Sequence, residues 1–438
     1  MRRKTFWIAA SCILVGVGLL PLFSSGTTPA STEKVIYSFQ GGADGANPAS
    51  DLVADADGNL YGTTESGGTG CNGSGCGTVF ELKRTGSGWN HDVLYTFAGG
   101  VDGENPQAGL VFDSSGNLYG TTTLAGSYSW GNVFELSPSA RGWKKTIIYS
   151  FTGNSDGGFP KADLVFDAQG NLYGTAYGGS GTQQCNVVSS DGCGAVFELM
   201  PRTDGSWIES TIHSFRGTPD GASPASAVVL DSSGNLYGVT EFGGSGMCYN
   251  ERNDGCGTAY ELTPEQGGTW KETILYNFVR GIGRGKYPSG SPFLDPDGHL
   301  YGLTRVGGDG YGTVFDLHSS QKGGWQQDDV HLFYGDPDGQ APVGQLVANQ
   351  QGDLFGVSST GGMSGKNFLG GTVLKLERLK EGWRETVIYA FRNSGDGAAP
   401  QAGLLLDAQG HLYGTTELGG NGTNCAYGNC GTVYEVTP

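Results

Sequence analysis

The segment Gly109-Leu110-Val111-Phe112-Asp113-Ser114-Ser115-Gly116-Asn117-Leu118-Tyr119-Gly120-Thr121-Thr122 decides the fold. It reads as two short strands around a tight turn. Val, Phe, Tyr and Thr suit an extended, half-buried backbone. Asp-x-x-Gly-Asn supplies the turn, with a Gly able to take the positive φ of a short hairpin. Downstream, Val133-Phe134-Glu135-Leu136 and the run from Trp143 to Phe151 add a third and a fourth strand. The four strands are named a to d in chain order.

This unit recurs through the chain. Leu-Tyr-Gly begins at Leu60, Leu118, Leu172, Leu236, Leu300 and Leu412, and Leu354-Phe355-Gly356 is a seventh copy. The copies stand 54 to 64 residues apart. Gly-Thr-Val-Phe-Glu-Leu, from Gly77, recurs from Gly131, Gly194, Gly257, Gly312, Gly371 and Gly431. Trp89, Trp143, Trp207, Trp270, Trp325 and Trp383 each precede an apolar run ending in an aromatic, and these tryptophans are read as packing between blades. Seven units of four antiparallel strands predict an all-β, seven-bladed β-propeller. The predicted domain spans residues 34–438. A lone strand d at 35–39 precedes the first unit, and the last unit stops after strand c at 431–436. The N-terminal strand is therefore expected to complete the last blade and remove both sheet edges.

Composition agrees. Glycine fills 80 of 438 positions, far above the usual roughly 7%, but without a G-X-Y period, so a collagen helix is excluded. Aromatics at 11% exclude a disordered Gly-rich tract, and charged residues at 16% leave no coiled coil. The net charge of -18 argues against nucleic acid or anionic lipid as partner. Arg2, Arg3 and Lys4, the apolar run 6–23 and the small-residue stretch 24–30 have the parts of a secretory signal. Residues 1–30 are read as a signal peptide, with retention as an anchor the alternative. The protein is expected to be secreted, periplasmic or on the cell surface, to be monomeric, and not to insert in a membrane after cleavage.

The units resemble the Gloeobacter/Verrucomicrobia-type (GloVer) tandem repeats of choice-of-anchor bacterial envelope proteins. Asp-Gly-x-x-Pro, Gly-Asn-Leu-Tyr-Gly-Thr-Thr, Gly-Gly and Gly-Thr-Val-Phe-Glu-Leu carry the resemblance, which covers nearly all of 35–438. It implies export and a repeat domain, and brings no catalytic residues with it. Many members of that family end in a sorting anchor. The sequence runs to Pro438 with none, so attachment by that route is not expected.

Apart from Cys12, the cysteines fall in local pairs between strands b and c: Cys71/Cys76, Cys185/Cys193, Cys248/Cys256 and Cys425/Cys430. Export and even count favour disulfides, which are expected to hold the b–c loops in shape. Metal thiolate is disfavoured, because no second ligand pair accompanies each, and no metal or other cofactor is expected.

Antiparallel strands put the b–c and d–a loops on one face. The b–c loops vary most, so binding is expected there. The d–a loops carry Asp44, Asp102, Asp156, Asp220, Asp338 and Asp396. Either these ring the channel mouth and attract Ca²⁺, or each bonds its own loop backbone; the second reading is favoured. The loop leading into blade five instead carries Arg280, Arg284 and Lys286, and Arg305 follows its strand b where three other units have Glu65, Glu241 and Glu417. These cations either hold a carboxylate or sulfate or balance acidic repulsion. Tyr128, Trp130, Tyr177, Phe242, Tyr249, Tyr311, Phe368 and Tyr427 offer rings in variable loops, for sugar stacking or for loop packing.

No motif names a reaction. The leading expectation is a non-catalytic binding module for a glycan or other extracellular polymer. A polysaccharide lyase or glycoside hydrolase using top-face carboxylates, with Glu65, Glu241 and Glu417 as candidates, and the blade-five cations is the alternative, and a protein–protein module the third. An acid pair and a cation converging in one axial pocket would favour the enzyme; separate aromatic shelves would favour multivalent binding.

Overall fold

The computed structural model describes residues 31–179, 185, 192–246, 248, 255–281, 284–362, 370–425 and 429–438. The leader 1–30, Cys12, Tyr249, Phe368 and Tyr427 lie outside these residues. Seven four-stranded antiparallel sheets make seven blades. In blade two, strands a to d are Val111–Phe112, Leu118–Thr122, Asn132–Ser139 and Gly142–Ser150. Strand a is this short in five blades, and lengthens to Gly285–Leu294 in blade five and Gln340–Ala348 in blade six. The seventh sheet joins Thr32–Ser38 to Thr432–Thr437, antiparallel, with Thr32 opposite Thr437 and Ser38 opposite Thr432. The ring is thus latched by its leading strand, as the lone strand d predicted. Among the described residues no helix is long and apolar enough to cross a membrane.

The repeated tripeptides have packing reasons. In blade two, Gly120 of strand b faces Phe134 of strand c. A Cβ on Gly120 would come within 2.8 Å of both Leu110 Cδ2 and Phe134 Cζ. The Tyr after each Leu is buried and meets the next blade: Trp207 stands edge-on to Tyr119 at 5.8 Å, and Trp89 to Tyr413 at 6.3 Å across the ring closure. Gly431, at φ +87°, lets Pro48 of the adjoining loop close over it; a Cβ there would meet Pro48 Cδ at 2.6 Å. Six of the a–b turns are held by an Asp, as Asp113 Oδ1 accepts the N–H groups of Ser115 and Asn117 at 2.8 and 2.9 Å, and Asn349 does the same in blade six.

All four cysteine pairs are disulfides, with Cα–Cα separations of 5.3–5.6 Å. As the sequence reading expects, each pair lies between strands b and c, its second cysteine directly before the Gly of strand c. Cys193, Cys256 and Cys430 are fully buried, at 0% exposure, and Cys76 is nearly so at 2%. Cys193 sits in the core with Phe215 and Tyr260, and Cys256 with Phe278 and Phe315. Cys430 sits with Phe39 and Phe80, and Cys76 with Phe97 and Phe134. The physical reason is position. The next residue is the Gly that opens strand c, whose first residues are themselves buried, so the cysteine before it is carried inside. Cys248 is buried as well, whereas Cys71, Cys185 and Cys425 are partly exposed. Each disulfide therefore anchors a b–c loop to the interblade core, rather than lying on the loop face as a contact for ligand. In blade two, which has no cysteine, Trp130 packs on Phe159 instead, with ring centroids 4.6 Å apart.

Candidate functional site: an axial pocket

Each blade sends its pre-strand-a segment to the axis, so one repeat position becomes a ring. The position two residues before the first strand-a residue is Asp51, Gly109, Asp163, Ala227 and Gly403 in five blades, and Ser291 and Gln345 are the corresponding residues within the longer strands a of blades five and six. A second ring, one residue past Leu-Tyr-Gly-Thr-Thr, carries Glu65, Thr123, Tyr177, Glu241, Arg305, Ser359 and Glu417. Together they enclose a pocket of about 370 Å³ on the b–c and d–a face, lined by Asp51, Asp163, Glu65, Glu241, Glu417 and Arg305 among others. Lys161, Gln107, Gln401 and Gln345 add donors.

The carboxylates are individually oriented. Gln107 Nε2 donates to Glu65 Oε1 at 3.0 Å, and Gln401 Nε2 to Glu417 Oε2 at 3.1 Å. Arg305 pairs with Glu241. Lys161 Nζ lies 3.3 Å from the centre of the Tyr177 ring. Burial and the neighbouring Glu65 charge hold the Glu417 carboxyl above the usual carboxylate range.

At the base, Asp51 and Asp163 hydrogen-bond each other across blade two, where Gly109 leaves room. A Cβ on Gly109 would sit 3.0 Å from both Asp163 oxygens. Gly403 N–H donates to Asp51 and Gly109 N–H to Asp163, each at 2.5 Å. Burial, then the Asp163 charge, push the Asp51 carboxyl up to about 7. Burial raises Asp163 as well. Two carboxyls this close hold one proton between them into neutral pH. Sequence reading missed this pair. Its signal was one variable position in an otherwise uniform strand-a entry.

The other predicted residues are dispersed. Arg280, Arg284 and Lys286 line a separate groove of about 610 Å³ with Val306 and Gly307, and no acidic side chain among the described residues lines it. Arg305 is not with them. Tyr128 is 60% exposed and Tyr311 39%, each on its own loop, while Trp130 is partly buried in packing. Phe242 packs on Tyr287 at 5.4 Å. No aromatic ring lines the axial pocket among the described residues. The d–a loop aspartates do not line it either. Each accepts its own loop backbone, as Asp102 accepts Ala98 N–H at 2.7 Å, and Asp44 and Asp102 also reach His91 and Lys145 of the neighbouring strand d, at 3.2 and 2.9 Å. A carboxylate ring at the channel mouth from these residues is therefore replaced by the Glu65, Glu241 and Glu417 set.

The architecture is that of a seven-bladed repeat propeller with a polar axial cavity. Residues 22–188 and 245–438 match the Gloeobacter/Verrucomicrobia repeat model, and the chain belongs to that family. No curated protein matches it in sequence. Among solved structures it is similar to a Bacteroides uniformis protein assigned by name as a 6-phosphogluconolactonase, at TM-score 0.51 and 14% identity, over 81% of this chain and 88% of that one. It is also similar to the extracellular domain of a protein from B. thetaiotaomicron assigned as a one-component system, at TM-score 0.54 and 9% identity, over 91% of this chain and 40% of that one. At such identities the likeness is one of fold.

Proposed function

We propose that this protein works outside the cytoplasm, holding a small polyhydroxylated ligand, such as the end of a glycan chain, in its axial pocket. The observation that carries this reading is the convergence of Glu65, Glu241, Glu417, Lys161, Arg305 and three glutamines on one cavity. Its size falls within the roughly 300–1,000 Å³ of small-molecule sites. Sugar hydroxyls donate and accept at once, and a lining of carboxylates, amides and cations answers both roles. Five carboxyl groups against two cations disfavour an acidic polymer. Recognition here is polar, without ring stacking. Four disulfides fit an oxidising compartment.

The test is a glycan-binding screen on the full chain, followed by titration of any hit against Glu65→Gln and Glu417→Gln. Hydrogen bonds to charged groups contribute about 1.5–3 kcal/mol, so each variant should bind roughly tenfold or more weakly. Equal binding by both variants would reject the pocket.

A second reading, glycoside or uronide cleavage, is favoured by the Asp51–Asp163 pair. A carboxyl that keeps its proton near neutrality at the base of a polar pocket is what general acid catalysis requires. Product analysis on the bound polymers separates the readings. Released oligosaccharide that disappears in Asp51→Asn supports cleavage, and intact polymer supports binding alone.

A further inference from the structure

Away from the axis, the aspartate of a d–a loop stands between two outer strands. One is strand d of its own blade and the other is strand d of the next. On its own blade it meets an aromatic residue seven positions earlier. This is Tyr37, Tyr95, Tyr149 or Tyr389 for Asp44, Asp102, Asp156 and Asp396, and the hydroxyl donates to the carboxylate. In two places the tyrosine is replaced by histidine: His213 with Asp220, and His331 with Asp338. In both, the next blade supplies a glutamate, Glu272 and Glu385. Where the next blade supplies His91 or Lys145 the first residue is tyrosine, and tyrosine also stands beside Glu209 and Glu33 in the remaining two.

The blade three–four cluster has the dimensions of a metal site. His213 Nε2 lies 3.1 Å from Asp220 Oδ1 and 3.5 Å from Glu272 Oε1. The three ligand atoms all lie within 4.8 Å of one another. A tetrahedral zinc ion with bonds of 2.0–2.1 Å separates its ligand atoms by about 3.4 Å. The side chains are 20%, 12% and 17% exposed. Glu272 Oε1 is buried without a hydrogen-bond partner, and so is Glu385 Oε1 at the equivalent place. A buried orphan oxygen costs about 1–3 kcal/mol, and metal coordination would remove that cost. Asp220 Oδ2 is already fixed by the Arg216 N–H at 2.8 Å, and Asp338 Oδ2 by the Tyr334 N–H at 2.9 Å, so Oδ1 is presented inward. Such outer hydrogen bonds orient metal ligands.

We propose that His213, Asp220 and Glu272 bind a first-row transition metal of the zinc type that bridges blades three and four. Imidazole with two carboxylates suits zinc, whereas calcium takes six to eight oxygens. The site stands apart from the axial pocket and does not depend on its ligand.

The test uses the full chain, stripped with a chelator and dialysed against zinc chloride, with bound zinc counted per chain. His213→Tyr is a suitable variant, because tyrosine occupies this position in other blades and its hydroxyl can bond the aspartate. A further cluster, His299, Asp316 and His318, is present in both proteins and cancels in the difference. The substitution should remove one zinc equivalent, and zinc should raise the thermal midpoint of wild type more than that of the variant. Near-UV circular dichroism verifies the fold. Loss of less than one equivalent by the folded variant overturns the proposal, as does the absence of zinc binding by wild type. Glycan binding should be unchanged in the variant, which keeps this outcome separate from that of the axial pocket.

Discussion

Asp51→Asn should change the pH dependence of stability in a defined direction. Asp51 shares a proton with Asp163 at the axis, and its folded-state value is about 7 against 3.8 for the free carboxyl. A group whose folded pKa is raised contributes stability that is complete below the unfolded value and is lost as pH climbs through the folded one. Between pH 4 and 7 the wild type should therefore lose stability at this site. Three units at 1.36 kcal/mol each set the scale at roughly 4 kcal/mol, distributed over the pair. The Asn side chain keeps the local bonds: Oδ1 still accepts Gly403 N–H, and Nδ2 donates to Asp163. With no proton to lose, the variant should show a flatter profile, being no more stable than wild type near pH 4 and more stable near pH 8. The assay is equilibrium urea unfolding with disulfides intact, at half-unit steps from pH 4 to 8. Glu33 and Glu272, whose carboxyls are also raised by burial, are present in both proteins and cancel in the difference. Parallel profiles for wild type and Asp51→Asn would refute the shared proton.

Three further substitutions probe the scaffold. Tyr434→Phe should stabilise by about 1 kcal/mol in denaturant unfolding, because the Tyr434 hydroxyl is buried without a partner, and Phe80, Phe134, Phe197 and Phe315 fill the same register in other blades; unchanged or lower stability would count against this. Gly120→Ala should cost about 1–3 kcal/mol by overpacking against Leu110 and Phe134, and a neutral result would show that the ring can yield. Deleting the leading strand Thr32–Ser38 exposes the edge of Thr432–Thr437, so the thermal midpoint should fall and light scattering should show concentration-dependent association; an unchanged monomer would deny the latch a stabilising role.

The scaffold was legible because every structural rule is written seven times. Leu-Tyr-Gly marked strand b and Gly-Thr-Val-Phe-Glu-Leu strand c, and the observed register sets Gly120 opposite Phe134 as that pairing implies. The unpaired strand d at the start and the missing one at the end gave the closure. Cysteine pairing was legible from local spacing, but the burial of Cys193, Cys256 and Cys430 follows from how strand c enters the core, which spacing does not show. The pocket was half legible. Glu65, Glu241, Glu417 and Arg305 share one repeat position, so a ring of them could be foreseen, and they do meet at the axis. Asp51 and Asp163 could not be paired in advance, because their contact passes across an intervening blade and depends on Gly109 having no side chain. The blade-five cations divide for a similar reason. Arg280, Arg284 and Lys286 precede or begin strand a and line a separate groove, whereas Arg305 follows strand b and lines the axial pocket. Proximity in sequence was a poor guide to proximity around a ring.

A sevenfold repeat confronts a binding site with a difficulty: identical blades would offer a ligand seven equivalent orientations. This pocket escapes it through substitution at the two axial rings. Blades seven, one and two contribute Glu417 with Gln401, and Glu65 with Gln107, which make an amide-backed acidic side. Blades three to five contribute Lys161 over Tyr177 and the Glu241–Arg305 pair, which make a side of balanced charge. The proton-sharing carboxyls lie beneath, on blades one and three. A polyol entering from the loop face would meet acceptors on one side and donors on the other, so one orientation has lower energy than its rotated copies. Glu65→Gln and Glu417→Gln should therefore weaken the same end of the ligand and combine less than additively, since both act on one cluster. Strict additivity of the two losses would mean that the sides act independently and that the ring does not set the orientation.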